Sequence, residues 1–300
     1  MKGLVRSLVI SALLLFGAVT ASPAAADPPT PAPGLPLQLA LGDSWAAGFG
    51  DTVGEGGYVP DLYETLKKDF NCSVARTEEP EAGCKHLQLL NLAIPGAVTA
   101  PQPEDTPPLS PSLTEDQFPV AIPLLEARNR SDDVEVITLH TGGNDVFGPI
   151  IGACREGFNL TCAERIQTEL NNYERDLSGA LSTLRAAAGG DTRIIIGTYD
   201  NPFRFTVCAP LAGIPGVSTL GELVLEGAPT LGFPSGLHDI MRTVAGTPGM
   251  NVNVANVHGR LGPLDWLSTT IPTDCLHPDD SGYDEVTEVF LEVLGLDPAG

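Results

Sequence analysis

The chain alternates between short apolar segments and longer stretches with helical periodicity. Short apolar runs bounded by polar residues are typical of buried strands, and five of them cover residues 37–41, 87–92, 134–139, 193–198 and 252–257. Elsewhere apolar residues recur every three or four positions, which predicts amphipathic helices. The predicted helices cover residues 59–70, 119–129, 163–188, 220–226, 237–244 and 282–294.

The alternation of strands and helices predicts an α/β fold built from βαβ units. We expect a three-layer, flavodoxin-like arrangement with a central, mostly parallel five-stranded sheet, in which ligands bind beyond the carboxyl ends of the strands. Two stretches interrupt the pattern. Residues 97–117 are rich in Pro, Ser, Thr and acidic residues, and residues 201–236 are apolar and rich in Gly and Pro. Both are candidate substrate walls or lids, with a surface insertion as the alternative.

The amino terminus has the features of a secretory signal peptide. Lys2 and Arg6 precede an apolar run that is shorter than the ~20 residues of a membrane-spanning helix, and small residues end the segment. An uncleaved anchor is the alternative. We expect a signal peptide over residues 1–26, a Pro-rich leader over residues 27–36 and a single domain over residues 37–300.

The chain is strongly acidic, with a formal net charge of −22 at pH 7. A surface of this sign repels phosphate backbones, so nucleic acid is excluded as an expected partner. No second long apolar run follows the predicted signal peptide. We therefore expect a secreted monomer that has no transmembrane anchor after the signal peptide is removed.

Six cysteines follow the predicted signal peptide, and an even number in an exported chain favours three disulfides. Pairing of neighbours along the chain is the simplest of several possible connectivities. It would join Cys72 to Cys84, Cys154 to Cys162, and Cys208 to Cys275. A zinc site is disfavoured because the chain contains no C-x-x-C pair.

Two short motifs near opposite ends of the chain contain the residue types of a hydrolase triad. Gly42-Asp43-Ser44 follows the first predicted strand, and Asp274-Cys275-Leu276-His277 lies far downstream. A serine hydroxyl is a weak nucleophile that needs a histidine base, and the base needs a group to orient it. Ser44, His277 and Asp274 are therefore candidates for nucleophile, general base and orienting acid. Each motif alone also fits a helix cap or a polar loop.

Two further segments follow predicted strands and could supply hydrogen-bond donors. Asn144, in Thr141-Gly142-Gly143-Asn144-Asp145, follows the third strand, where its amide can point at a developing oxyanion. Gly96 follows the second strand and can lend a backbone N–H. Both segments also fit ordinary turns. Because Ser44 and Asn144 come after strands of a parallel sheet, we expect them at the same sheet edge.

The remaining histidines show no sequence spacing typical of metal ligands. They are His86, His140, His238 and His258. His140 ends the third predicted strand, where a buried, hydrogen-bonded imidazole is the favoured interpretation and a place near the site is the alternative. We expect no metal and no cofactor.

Together the four segments resemble the four sequence blocks of the SGNH hydrolases, also called GDSL esterases and lipases. The resemblance runs from residue 39 to about residue 282. It implies Ser44 as the nucleophile, with Asp274 and His277 as the acid and the base. It also implies an oxyanion hole formed by the Ser44 N–H, the Gly96 N–H and Asn144, and it implies the same flavodoxin-like sheet.

The resemblance extends to the cysteines but not to every residue of the motifs. Exported members of the family often carry three disulfides paired in sequence order, which implies the same three bridges. The bridge of Cys275 would then hold the loop of Asp274 and His277, or it would simply stiffen a secreted chain. Trp45 departs from the family, which often has a smaller or leucine-like residue at this position.

The resemblance implies a secreted carboxyl-ester hydrolase, an esterase or lipase. Such an enzyme acts on a small-molecule or lipid ester through an acyl-enzyme and needs no cofactor. Two alternatives keep the same fold: an acyltransferase with the same triad, and a non-catalytic module that binds a ligand. The sequence does not indicate the acyl-chain length or the substrate class.

Overall fold

The structure is a computed structural model that describes most of the chain. The described residues are 31–32, 35–51, 56–72, 87–101, 110–128, 134–205, 213–266 and 276–296, with backbone only at 69–72. All of them belong to the unit Pro31–Gly300. The predicted signal peptide lies outside the described residues.

Five strands form one sheet in the order β2-β1-β3-β4-β5, and every neighbouring pair is parallel. The strands are β1 Leu37–Gly42, β2 Gln88–Asn91, β3 Val134–His140, β4 Arg193–Gly197 and β5 Val252–Ala255. This is the flavodoxin-like strand order, so the predicted fold class is confirmed. All six residues of β1 are buried between β2 and β3, which places the Gly42 end of this strand near the middle of the carboxyl edge.

Helices cover both faces of the sheet. They are α1 Tyr58–Cys72, α2 Phe118–Arg128, α3 Gly143–Ala153, α4 Leu160–Ala188, α5 Val217–Glu226, α6 Leu237–Ala245 and α7 Asp280–Leu294. Helix α1 packs with α7, whereas α4 packs with α2, α3 and α6. The chain passes from β1 to β2 on one side and then back past β1 to β3, β4 and β5 on the other side. With right-handed crossovers, this change places α1 on one face of the sheet and α2, α4 and α6 on the other. The result is three layers.

Helix α3 is absent from the sequence prediction, because glycines and an internal Pro149 are poor helix signals. The helix begins after Gly142, whose φ is 120°. A Cβ at Gly142 would lie 2.6 Å from the Tyr173 ring, so only glycine fits there. This turn allows α3 to start directly at the end of β3 and places Asn144 in its first turn.

The described residues contain no helix that is both long and apolar enough to cross a membrane. They also contain one of the three predicted disulfides, Cys154–Cys162, which closes the loop between α3 and α4. Cys84, Cys208 and Cys275 lie outside the described residues, and only the backbone of Cys72 is described. The other two bridges therefore stay predictions.

Candidate active site

The proposed nucleophile lies on a tight turn at the carboxyl end of β1. Gly42 ends the strand with a φ of 128°, and a Cβ at this position would lie 1.9 Å from the His140 carbonyl oxygen. The next residue, Asp43, donates its backbone N–H to the same oxygen at 2.8 Å. The chain therefore turns while still bonded to β3. Ser44 emerges at the sheet edge with 8% of its surface exposed.

The Asp43 carboxylate holds this turn from within the protein. It is buried and accepts hydrogen bonds from the Trp45 backbone N–H at 3.0 Å and from the Tyr199 hydroxyl at 2.6 Å. Burial raises the pKa of Asp43 to about 6, because the charged form loses its hydration. The carboxylate is committed to these bonds beneath Ser44, so we interpret it as support for the turn.

The proposed base contacts the proposed nucleophile directly. His277 Nε2 lies 2.7 Å from Ser44 Oγ, which is hydrogen-bond distance for proton transfer. The loop is held by the Trp45 indole, whose Nε1 donates to the Leu276 carbonyl at 3.1 Å. The Phe49 ring packs against the imidazole with their centroids 4.7 Å apart. The turn that carries Ser44 thus also supports the residue that would activate it.

Helix α7 fixes the other side of the His277 loop. The helix is capped by Asp279, whose side chain accepts a hydrogen bond from the Gly282 N–H at 3.2 Å. The Asp279 N–H donates to the Asp265 carbonyl at 2.8 Å. His277 is therefore two residues from a defined helix end. Asp274 lies outside the described residues, and its role as orienting acid stays a prediction.

The two predicted oxyanion donors lie in segments that meet beside this turn. Asn144 Nδ2 donates to the Ala97 carbonyl at 3.0 Å, which joins the start of α3 to the segment after β2. The same segment is bonded to β1, because the Ile94 N–H donates to the Gly42 carbonyl at 3.0 Å. Gly96 lies between these contacts, exposed and with a φ of 84°. The structure therefore brings the segments of Ser44, Gly96 and Asn144 together.

Sequence reasoning missed a glutamine that supports the nucleophile turn. Gln117 is buried, and its amide forms two hydrogen bonds with Gly42. The Gly42 N–H donates to Oε1 at 2.8 Å, and Nε2 donates to the Gly42 carbonyl at 2.7 Å. Gln117 ends the stretch 97–117, so the described part of this stretch is structural support and not a simple surface insertion. A lone glutamine 75 positions from Gly42 gives no sequence signal for this contact.

A second missed contact anchors the first turn of α3. The Asp145 carboxylate is buried and accepts the Thr99 backbone N–H at 3.0 Å on each oxygen. Burial raises the pKa of Asp145 to about 7, and the bonds from Thr99 oppose that rise. Because Asp145 follows Asn144, this bond fixes the helix start that carries the predicted oxyanion donor.

His140 lies close to the site but is not placed to act as a base. It is fully buried at the end of β3, and its Nε2 is 2.9 Å from the Thr198 carbonyl oxygen. Burial lowers the pKa of His140 to about 4. Its ring is surrounded by aromatic side chains, with centroids 5.1 to 5.9 Å away: Trp45, Tyr58, Tyr199 and Phe290. The favoured interpretation, a buried and hydrogen-bonded imidazole, agrees with this geometry.

A different cluster brings two histidines and a carboxylate within the reach of one metal ion. Ligand atoms of Glu226, His238 and His258 all lie within 4.8 Å of one another. The sequence showed no metal-ligand spacing among the histidines. The cluster forms because α5, α6 and the segment after β5 meet in the fold.

The hydrogen bonds of His238 argue against a metal in this cluster. The Tyr199 backbone N–H donates to His238 Nε2 at 3.2 Å, so the ring carries its proton on Nδ1 and donates it to Glu226 Oε1 at 2.5 Å. A protonated nitrogen cannot bind a cation. Of the three residues, Glu226 and His258 then remain as ligands, with Oε1 and Nδ1 3.6 Å apart. Zinc sites use roughly three or four protein ligands, so we assign this cluster no metal function.

A serine hydroxyl within hydrogen-bond distance of a histidine at the carboxyl edge of a parallel sheet, with the segments of two candidate amide donors beside it, fits the arrangement of a serine hydrolase. Residues 40–285 match the model of the GDSL-like lipase/acylhydrolase family. The chain belongs to this family. The predicted SGNH resemblance is thereby confirmed, whereas the three-disulfide type is not established.

Solved structures show the same fold at low sequence identity. A lipase from a goat rumen metagenome, Lip_vut3, is similar with a TM-score of 0.55 and 16% identity, covering 88% of this chain and 99% of the lipase. An extracellular lipase from Streptomyces rimosus is similar with a TM-score of 0.53 and 15% identity, covering 86% and 99% of the two chains. No curated protein sequence matches the chain.

Proposed function

We propose that the protein is a carboxyl-ester hydrolase in which Ser44 is the nucleophile and His277 the general base. The observation that carries this proposal is the 2.7 Å contact between His277 Nε2 and Ser44 Oγ. A hydroxyl at this distance from a neutral imidazole can lose its proton to the ring as it attacks a carbonyl carbon. Membership of a lipase/acylhydrolase family supports the same chemistry.

The reaction has two halves that share the same groups. In the first, His277 takes the proton of Ser44 while the Oγ–carbon bond forms, and it then passes that proton to the leaving alkoxide as the ester bond breaks. In the second, His277 takes a proton from water, and the resulting hydroxide attacks the acyl-enzyme. The proton returns to Ser44 when the carboxylic acid leaves. Asp274 is assigned to orient the imidazole and to stabilise its charged form.

The oxyanion of each tetrahedral intermediate is assigned to three donors. These are the Ser44 and Gly96 backbone N–H groups and the side-chain amide of Asn144. The Asn144 amide has two N–H donors, and one of them is already bonded to the Ala97 carbonyl. The other is the one that we assign to the oxyanion. A donor of this kind contributes ~3–4 kcal/mol to stabilisation of the transition state.

We also propose that the enzyme is exported. The predicted signal peptide over residues 1–26 and the disulfide Cys154–Cys162 support this proposal, because disulfides persist mainly in oxidising compartments. The similar lipase from Streptomyces rimosus is described as extracellular. Detection of the mature chain outside the cell, beginning near Asp27, tests the proposal.

Ester hydrolysis by purified protein tests the proposed activity. The wild type should release p-nitrophenol from p-nitrophenyl acetate, and Ser44→Ala should lose this activity while it keeps the circular dichroism spectrum and melting temperature of the wild type. Ser182→Ala is the matched control, because Ser182 is an exposed serine on α4. Equal activity in Ser44→Ala and Ser182→Ala contradicts the assignment of the nucleophile.

A further inference from the structure

Two exposed apolar side chains lie beside the proposed base. The Phe49 side chain is 41% exposed although its ring packs against the His277 imidazole, and Leu276, the residue before His277, is 44% exposed. Exposure of large apolar groups next to a catalytic pair is a cost in water, and contact with a substrate would remove it.

The backbone holds Phe49 in this place. Its N–H donates to the Ser44 carbonyl at 2.9 Å, and its carbonyl accepts the Tyr283 hydroxyl at 2.7 Å. The following residue, Gly50, packs closely on the loop of the base, since a Cβ there would lie 3.0 Å from His277 Cβ. The backbone of Phe49 is therefore held in place, and its ring lies against the imidazole.

The proposed mechanism determines which part of an ester meets this surface. His277 must deliver its proton to the leaving alkoxide, so the alcohol oxygen lies within hydrogen-bond reach of Nε2. The carbonyl oxygen instead lies toward the assigned donors Gly96 and Asn144. A side chain that packs against the imidazole, as the tilted Phe49 ring does, therefore borders the alcohol portion of the ester, and the acyl chain lies on the other side of the scissile bond.

From this geometry we infer that Phe49, together with Leu276, binds the alcohol portion of the substrate and selects esters of apolar alcohols. The inference rests on the proposed function, because it uses the path of the proton from His277. The two side chains offer aromatic and aliphatic surface and no charge, so they favour benzyl or alkyl alcohols over small or polar ones. We expect these partly exposed side chains to favour the ester of an apolar alcohol about tenfold in kcat/KM over the ester of a small alcohol.

Two pairs of esters separate the alcohol side from the acyl side. Benzyl acetate and methyl acetate share the acyl group and have leaving alcohols of similar acidity. Methyl hexanoate and methyl acetate share the alcohol. We expect Phe49→Ala to lower the benzyl-to-methyl ratio of kcat/KM about tenfold and to leave the hexanoate-to-acetate ratio unchanged. Any general loss from a less well supported His277 cancels in these ratios.

Phe158→Ala is the matched control. Phe158 is also an exposed phenylalanine, with 53% of its surface exposed. Its ring contacts Phe233, with the centroids 6.1 Å apart, and among the described residues no ring contact joins it to His277. It should leave the benzyl-to-methyl ratio at the wild-type value. Phe49→Leu, which keeps an apolar side chain, should retain part of the selectivity.

The results separate this inference from the proposed function. An active Phe49→Ala enzyme with an unchanged benzyl-to-methyl ratio, or with a changed hexanoate-to-acetate ratio, overturns the assignment of Phe49 and leaves the triad intact. A wild type that hydrolyses none of these esters overturns the proposed function and the assignment with it.

Discussion

Two histidines of this protein are hydrogen-bonded in side-chain clusters, but they are used differently. His277 is half-buried, and its Nε2 faces a serine hydroxyl at 2.7 Å. His238 is fully buried, and its two nitrogens are occupied by the Tyr199 N–H and by Glu226. The two residues differ in the partner of Nε2, which is the Ser44 hydroxyl for His277 and the Tyr199 N–H for His238. This partner, and not the presence of a carboxylate, separates a candidate base from a structural histidine.

Protonation reinforces the contrast. The hydrogen bond from His238 lowers the pKa of Glu226 to about 2, and burial lowers the pKa of His238. The pair is therefore an ionised carboxylate that accepts from a neutral imidazole. His238 is not placed to act as a base, because the nitrogen that would have to accept a proton, Nε2, already accepts the Tyr199 backbone N–H.

The two clusters are nevertheless connected through Tyr199. Its hydroxyl donates to the Asp43 carboxylate at 2.6 Å, and its backbone N–H donates to His238 at 3.2 Å. Asp43 in turn holds the turn of Ser44 through the Trp45 N–H. We interpret the His238 cluster as remote structural support for the nucleophile, which makes the comparison testable by mutation.

The largest expected effect separates the two histidines by activity. His277→Gln should reduce kcat on the order of 10⁴-fold, because it removes the proposed base. His238→Gln should keep at least a third of the activity. Steady-state hydrolysis of p-nitrophenyl acetate by both variants measures the difference, with circular dichroism as the check on folding. A similar loss in both variants would contradict the contrast drawn between them.

Removal of the proposed oxyanion donor should give the next largest effect. Asn144→Ala should lower kcat about 10²- to 10³-fold with little change in KM, since the donor acts on charge that develops in the transition state. The melting temperature should fall slightly, because the hydrogen bond to the Ala97 carbonyl is lost as well. Asn171→Ala, at an exposed position of α4, is the control. A rise in KM at constant kcat would instead indicate that Asn144 binds the ground state.

Trp45 should have a smaller effect that tests how the base is held. Trp45→Phe keeps an aromatic ring but removes the N–H that donates to the Leu276 carbonyl. We expect kcat to fall about tenfold with KM unchanged, because a less ordered His277 samples its productive position less often. Trp266→Phe is the control, since the buried Trp266 Nε1 has no hydrogen-bond partner among the described residues. Equal kcat in the two variants would remove Trp45 from this role.

The smallest effect on activity, and a distinct effect on stability, is expected for Glu226→Gln. A carboxylate with a pKa of about 2 in the folded protein, against an ordinary value of 4.5, stabilises the fold above pH 4.5, and this contribution is lost as the pH falls toward 2. The variant should unfold at a lower urea concentration than the wild type at pH 7. The difference between the urea midpoints of the wild type and the variant should narrow as the pH falls from 4.5 to 3. A gap that is independent of pH would contradict the ionised state of Glu226.

The strand pattern and the short motifs were enough to predict the fold and to place Ser44 and Asn144 at one edge of the sheet, whereas His277 was assigned from its motif and the family resemblance. Local hydrophobic periodicity determines strands, and parallel topology then forces the segments after β1 and β3 together. The supports of the site could not be predicted in this way. Gln117 binds Gly42 from 75 positions away, and the cluster of His238 depends on how α5, α6 and β5 pack. These contacts follow from the packed fold and leave no periodic signal in the sequence.

Covalent labelling tests the central claim, that His277 activates Ser44, most directly. A fluorophosphonate probe transfers a phosphonyl group to an activated serine, and mass spectrometry of the digested protein locates it. The account predicts a single adduct on the peptide that contains Ser44, formed in His238→Gln at no less than about a third of the wild-type rate and in His277→Gln at least about 10³-fold more slowly than in the wild type. No adduct, an adduct on another serine, or equal labelling rates in the wild type and His277→Gln would contradict it.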